Sequence, residues 1–340
     1  MDKGMMVWMI VAVSLIVLGG ILFTVTMALH GWNFGEWSTT RFETNEHLVD
    51  QDFDDISIQS DTADITFLPS LDGKCRVVCV EETKVKHAVS VQNGVLTIGL
   101  NSEKKWYDYI GINFKSPTLT VYLPKSEYGD LVIKEDTGMV QIPGSVSFAS
   151  MDITTSTGAV NNEASCSGDL TVKVSTGKIF MQSISAQNIT LTASTGDMKL
   201  TDVTCQGVLQ TKVTTGKTNL TDVSCERFVS NGSTGDIILK NVTVKADMSV
   251  ERNTGDVRLE ACNTEKLVVH TTTGDVFLDA CDPATFEITT DTGDVKGSFV
   301  TPKKFIARAD TGKVSVPSGS EGFDSTIDTD TGDIKIEFLS

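Results

Sequence analysis

Four aspartates, Asp236, Asp256, Asp275 and Asp294, each stand directly after a Thr-Gly pair, 19 or 20 residues from the next. If successive turns of the chain stack, that spacing brings the carboxylates about 5 Å apart in one column. Like charges at that distance repel, and a hard cation with oxygen ligands such as Ca²⁺ would relieve them. Arg258 and Lys296 follow two of these aspartates by two residues and share their outward face, so surface ion pairing accounts for the same column without a metal. Neither the glycine-rich nonapeptide of calcium β-rolls nor an EF-hand loop is present. A second acidic cluster, Asp328, Asp330 and Asp333 in DTDTGD, places Asp328 and Asp330 on one face and reads as solvation of the last repeat.

Seven cysteines offer disulfide or metal chemistry. Cys75 and Cys79, four apart in the strand-like CRVVC, are too distant to bridge each other. Cys205 with Cys225 and Cys262 with Cys281 fall in one column of adjacent repeats, where bridging distance is reachable and two buried thiols serve equally well. Zinc-like spacing is absent. His30, His47, His87 and His270 lie in no nucleophile or metal motif, and there is no G-x-S-x-G. No catalytic, cofactor-binding or metal-ligating residue is therefore assigned, and the chain reads as a non-enzyme without cofactors. Aromatic residues cluster in EKKWYDYIGINF, where Trp106, Tyr107, Tyr109 and Phe114 accompany Lys104 and Lys105. That stretch suits a plug over an open end, or an anchor for a partner or sugar.

The elements that must position these residues follow from the Thr-Gly pair itself. It recurs with glycines at 138, 158, 177, 196, 216, 235, 255, 274, 293, 312 and 332, eleven corners with no step missed. Before each Thr stands Asp, Ser, Thr or Asn, whose side chain bonds nearby backbone in turns, and glycine tolerates positive φ. Around each corner the pattern alternates with period two: Val257 and Leu259, Ile237 and Leu239, Val314 and Val316 follow it, and Leu267 and Val269, Met248 and Val250 precede it. Continued parity turns the Thr column inward, in position for a hydroxyl ladder. A unit this short cannot bury its own apolar face and must stack on its neighbours. The expected fold is all-β: a β-solenoid of about eleven coils, a rod about 50 Å long at about 4.8 Å per coil. DISIQSDTADITF, with Ala63 in place of the corner glycine, reads as a degenerate first coil.

Met5 to Leu29 contains no charged residue, and roughly 20 apolar residues cross a bilayer. A cleaved signal would have a shorter apolar core and a clearer small-x-small site than TMA, so the segment reads as a retained transmembrane helix. Trp32, Phe34 and Trp37 would lie at the headgroups, and Lys3 against the more distant Arg41 favours a cytoplasmic N-terminus with the bulk outside. The expected organisation is an anchor over 1–30, a juxtamembrane linker over 31–50, a β cap over 51–130 and the solenoid over 131–340. A net charge of −17 excludes nucleic-acid partners, which require a basic footprint.

The anchor, the DISI…DTADI strands, the TVYLP strand ending at Pro124 and the in-register TGD-V/I repeats resemble the bacterial β-strand-repeat "putative adhesin" family, a domain of unknown function, over about residues 50 to 340. The resemblance implies a cell-envelope protein with adhesion or envelope-stress roles and carries over no catalytic residues. Lys178, Lys217 and Lys313 occupy the corner position where the family pattern has Asp, so the carboxylate is not essential in every coil. The expected function is an envelope-anchored binding or spacer module contacting a cell-wall polymer or an envelope protein. The alternatives are a stress sensor acting through a protein partner and a polysaccharide-active β-helix enzyme, which generally needs long inserted loops to wall a cleft.

Overall fold

The computed structural model describes residues 3–29, 31, 41–102, 116–318 and 324–339. The aromatic residues expected at the headgroups, His30 and the aromatic stretch 103–114 lie outside them.

Helix α1, Lys3–Leu29, has 27 residues and so runs about 40 Å, longer than the roughly 30 Å hydrocarbon layer. Its apolar stretch is not buried against the rest of the protein, as befits a segment whose solvent is lipid or a signal sequence.

The remaining chain forms two facing 15-stranded sheets. Each coil contributes one strand to each sheet, joined at the Thr-Gly corner: Asn188–Thr195, Gly196, then Met198–Cys205. Neighbouring coils pair in parallel and in register, so Thr176, Thr195 and Thr215 stack directly. Apart from Val314 and Val316, the apolar positions named above meet between the sheets as one continuous core. At Gly196 φ is +141°, and a Cβ there would overlap the carbonyl oxygen of Gly177 in the preceding coil. Backbone handedness and the stacking distance both demand glycine.

Two features of the coil differ from the expected parity. Alternation holds through the third residue before each glycine, and then two successive residues face solvent, as in the pattern eBiBeBee of Asp169–Thr176. The Thr column therefore points outward, because the chain is already bending. Its carbonyls carry the stacking: the Gly177 and Gly196 amides donate to Thr195 and Thr215 in the next coil at 2.8 Å each. The second feature lies six residues after the glycine, where Ser183, Asp202, Asp222, Asn241, Ala261 and Ala280 have φ between 51° and 56°. A single left-handed residue there bulges the strand and resets which side chains face inward.

Strand β1, Phe42–Val49, is already part of the sheet, so the folded region begins within the expected 31–50 linker. It is followed by β2, Asp55–Thr62, β3, Asp64–Pro69, β4, Cys75–Glu82, β5, Val85–Gln92, β6, Val95–Ser102, β7, Thr118–Leu123, and β8, Glu127–Thr137. β2 and β3 make the degenerate coil with Ala63 at its corner, and Thr62 stacks on Thr137. Beyond it β7 and β6 extend the two sheets in parallel, whereas β4, β1 and β5 add antiparallel edges. The cap thus ends the open parallel ladder with antiparallel edge strands.

At the other end the coils do not stack in sequence order. Asp324–Thr331 lies between Thr285–Thr292 and Lys304–Thr311, and Ile334–Phe338 lies between Val295–Phe299 and Val314–Ser315. The last coil is slotted beneath the one before it. Val314, expected inward, is consequently 44% exposed, since its coil is terminal in space. Phe286, Phe299, Phe305 and Phe338 close this end, with Phe286 and Phe299 stacked at 4.9 Å.

Candidate functional site

The aspartate column exists as expected, and its geometry explains the residue type. In the corner, the glycine amide and the amide two residues later join the backbone ladder, leaving the amide between them without a backbone partner. The carboxylate of the preceding coil takes it: Asp236, Asp256, Asp275 and Asp294 accept through Oδ1 from the amides of Asp256, Asp275, Asp294 and Asp333 at 2.8 to 3.2 Å. Asp197 does the same for Lys217 at 3.1 Å. An acceptor that satisfies an orphan amide is the sheet counterpart of a helix N-cap.

Three of the four second oxygens are paired with cations. Lys217 Nζ lies 2.9 Å from Asp236 Oδ2, Arg258 Nη2 2.9 Å from Asp256 Oδ2, and Lys296 Nζ 2.8 Å from Asp294 Oδ2. Lys217 and Lys296 thereby hold the Asp236 and Asp294 carboxyls below the usual range. Arg258 also sits over the Phe277 ring, 4.3 Å from its centre. A lysine at the corner is as useful as an aspartate, because it reaches the carboxylate of the following coil. Apart from Asp275, the carboxylates of the column are each paired with a cation as well as with an amide.

All seven cysteines are buried free thiols. Cys262 and Cys281 adjoin each other, and the Cys281 thiol together with burial keeps the Cys262 thiol protonated well above its ordinary range. The Cys225 thiol is pushed up to about 12 by burial. His270 lies on the surface against Thr289.

A polar cluster that the motif search did not assign lies inside the cap. Cys75, Val77, Cys79 and Glu81 alternate onto the inner face of β4, and His87 approaches from β5 in the facing sheet. The Asn45 amide donates to Glu81 Oε1 at 2.7 Å. The His87 backbone amide donates to Glu81 Oε2 at 2.6 Å, and His87 Nδ1 lies 2.7 Å from the same oxygen. His87 Nε2 is 3.1 Å from Ser60 Oγ on β2. Cys79, Glu81 and His87 offer Sγ, carboxylate oxygen and ring nitrogen within 4.8 Å of one another.

The neighbouring inward position on β8 is Glu135. Its Oε1 accepts from the amides of Ala63 and Thr137, while Oε2 is buried without a partner, as is the hydroxyl of Thr155 in the next coil. Burial pushes the Glu135 carboxyl up to about 7, against the opposing pull of the Ala63 amide and the nearby Ser60 hydroxyl. Parity alone exposes this cluster: Glu81 keeps step with Val77 and Cys79, and Glu135 with Leu131 and Ile133. An ionisable side chain in an inward column was the signal available.

The contacts from Glu81 through His87 to Ser60 have the connectivity of a nucleophilic triad. Ser60 is only 4% exposed, however, and faces the core. Surface clefts of about 430 and 550 Å³ are lined by Glu127, Ser147 and Gln182 and by His47, Val89 and Val91, without Ser60. A substrate carbonyl has no approach to it through these clefts.

No curated protein matches the chain. Among solved structures, a putative adhesin from Bacteroides fragilis is 14% identical, covering 87% of this chain and 97% of its own, with a TM-score of 0.31. One from Parabacteroides distasonis is 12% identical, covering 87% and 98%, with a TM-score of 0.40. One from Parabacteroides merdae is 13% identical, covering 88% and 97%, with a TM-score of 0.33. The Toastrack DUF4097 family model matches residues 53–280, 208–318 and 233–340. These matches take in the cap from β2 onward, the corners and the slotted last coil, and the chain belongs to the Toastrack DUF4097 family.

Proposed function

We propose that the protein is a membrane-anchored display rod, a non-catalytic adhesin-like module that holds a repetitive β surface at the cell envelope. In this reading α1 is retained as a single span, the N-terminus is cytoplasmic, and cap and solenoid project outside. The observation that carries the proposal is the unbroken stack of coils. Their inner space is filled by side chains and their corners form continuous ridges of alternating charge, from Lys217 and Asp236 through Arg258, Asp256, Lys296 and Asp294. Such a wall suits shallow, repeated contacts with a polymer or another protein better than enclosure of a small substrate.

The test is co-sedimentation of the full chain in nanodiscs with purified cell wall and, separately, with protein-containing envelope, in calcium and in chelator. Saturable pelleting with wall supports polymer binding, and it should be insensitive to chelation because three of the four ridge carboxylates are already paired with cations. Retention by envelope alone would replace the polymer with a protein partner. Binding to neither would sink the adhesin reading.

A further inference from the structure

We propose that the cap holds one divalent transition-metal ion of the zinc class, ligated by Cys79, Glu81 and His87. The three residues come from two consecutive strands, β4 and β5, of the facing sheets, are 0%, 1% and 5% exposed, and present their donor atoms within 4.8 Å of one another. Thiolate, imidazole and carboxylate together are the donor set that zinc accepts and that magnesium and calcium do not favour. One thiolate and one carboxylate neutralise a dication, so the loaded site carries no net charge into the core. Binding would displace the Cys79 thiol proton to solvent and leave His87 neutral.

The surrounding contacts are those that orient metal ligands. Asn45 fixes one oxygen of Glu81, and the Ser60 contact at Nε2 leaves His87 Nδ1 as the ligating atom. With the ion on Nδ1, Nε2 must carry the proton and donate it to Ser60 Oγ, whereas without the ion Nδ1–H donates to Glu81 and Nε2 accepts from Ser60. Metal loading therefore reverses the direction of the His87–Ser60 hydrogen bond.

The full chain, purified in detergent and stripped with chelator, would be titrated with Zn²⁺ and with Co²⁺ as a spectroscopic probe. The expected result is one equivalent bound per chain, with a thiolate-to-cobalt charge-transfer band and tetrahedral visible bands. Cys79→Ser should abolish the charge-transfer band, and Ser60→Ala should weaken affinity about 10- to 100-fold while keeping it. Should Cys79→Ser fail to fold, Asn45→Ala and Ser60→Ala, which touch no ion, still report the site through affinity. A folded wild type that shows no band and binds no stoichiometric metal overturns the proposal and leaves a structural Glu81–His87 pair. Binding that every one of these variants retains unchanged also overturns it, by placing the metal elsewhere.

Discussion

Single inward positions decide how much the stack tolerates. Arg252 is buried at 2% exposure and donates to Ser230 Oγ at 3.0 Å and to the Glu251 carbonyl at 2.7 Å, with burial pulling its guanidinium down to about 10. It fits because its neighbour in the preceding coil is Gly232, where an added Cβ would lie 2.8 Å from Arg252 Nη1. Gly232→Ala should therefore destabilise the wild type by about 1–3 kcal/mol and cost far less in an Arg252→Ala background, a coupling that a denaturation double-mutant cycle reads directly. Glu135 belongs to the same inward column. Its carboxyl holds a proton up to about pH 7 when folded and up to about 4.5 when unfolded. The folded state is thus favoured below pH 4.5, loses about 3 kcal/mol as pH rises to 7, and changes little above. Glu135→Gln should flatten that dependence and raise stability at pH 8 relative to the wild type, measured by urea denaturation with chelator present.

At the scale of the coil, the corner couples each repeat to the next through an aspartate and an amide. Asp256→Ala leaves the Asp275 amide without an acceptor and should cost about 1 kcal/mol, whereas Asp256→Asn keeps the accepting oxygen and should cost less. The coil was legible in the sequence because two periods coincide, a 19- or 20-residue repeat of Thr-Gly and an alternation of apolar residues on both sides of it. Legibility stopped where the backbone departs from simple alternation. Extending parity through the corner turned the Thr column inward, yet two consecutive outward residues are what bends the chain. The left-handed position, occupied by Asp202, Asp222 and Asn241 but also by Ala261 and Ala280, lacks a glycine to announce it. Glu81 and His87 carry no local motif because their partners Asn45 and Ser60 are brought in by separate strands.

For the whole molecule, the two ends differ in kind. The N-terminal end is broadened by antiparallel strands around a polar cluster, and the C-terminal end is closed by four phenylalanines and a coil out of sequence order. Removing residues 324–340 takes away the only strands, among the described residues, on which Lys304–Thr311 and Val314–Ser315 pair. Hydrogen exchange should then show amides over 304–315 losing protection although they precede the cut, while Thr285–Thr292 stays protected. Equal protection in both segments would mean that the earlier coil can dock on the stack unaided. The slotted arrangement also bears on how such a gene can grow. A repeat copied from the middle of the array inserts between equivalent neighbours and lengthens the rod by one step. A repeat appended after Phe338 would meet no free ledge, because the edge exposed at that end belongs to an earlier stretch of the message. Variation in rod length among descendants should therefore arise inside the array, with the final two coils inherited as a unit.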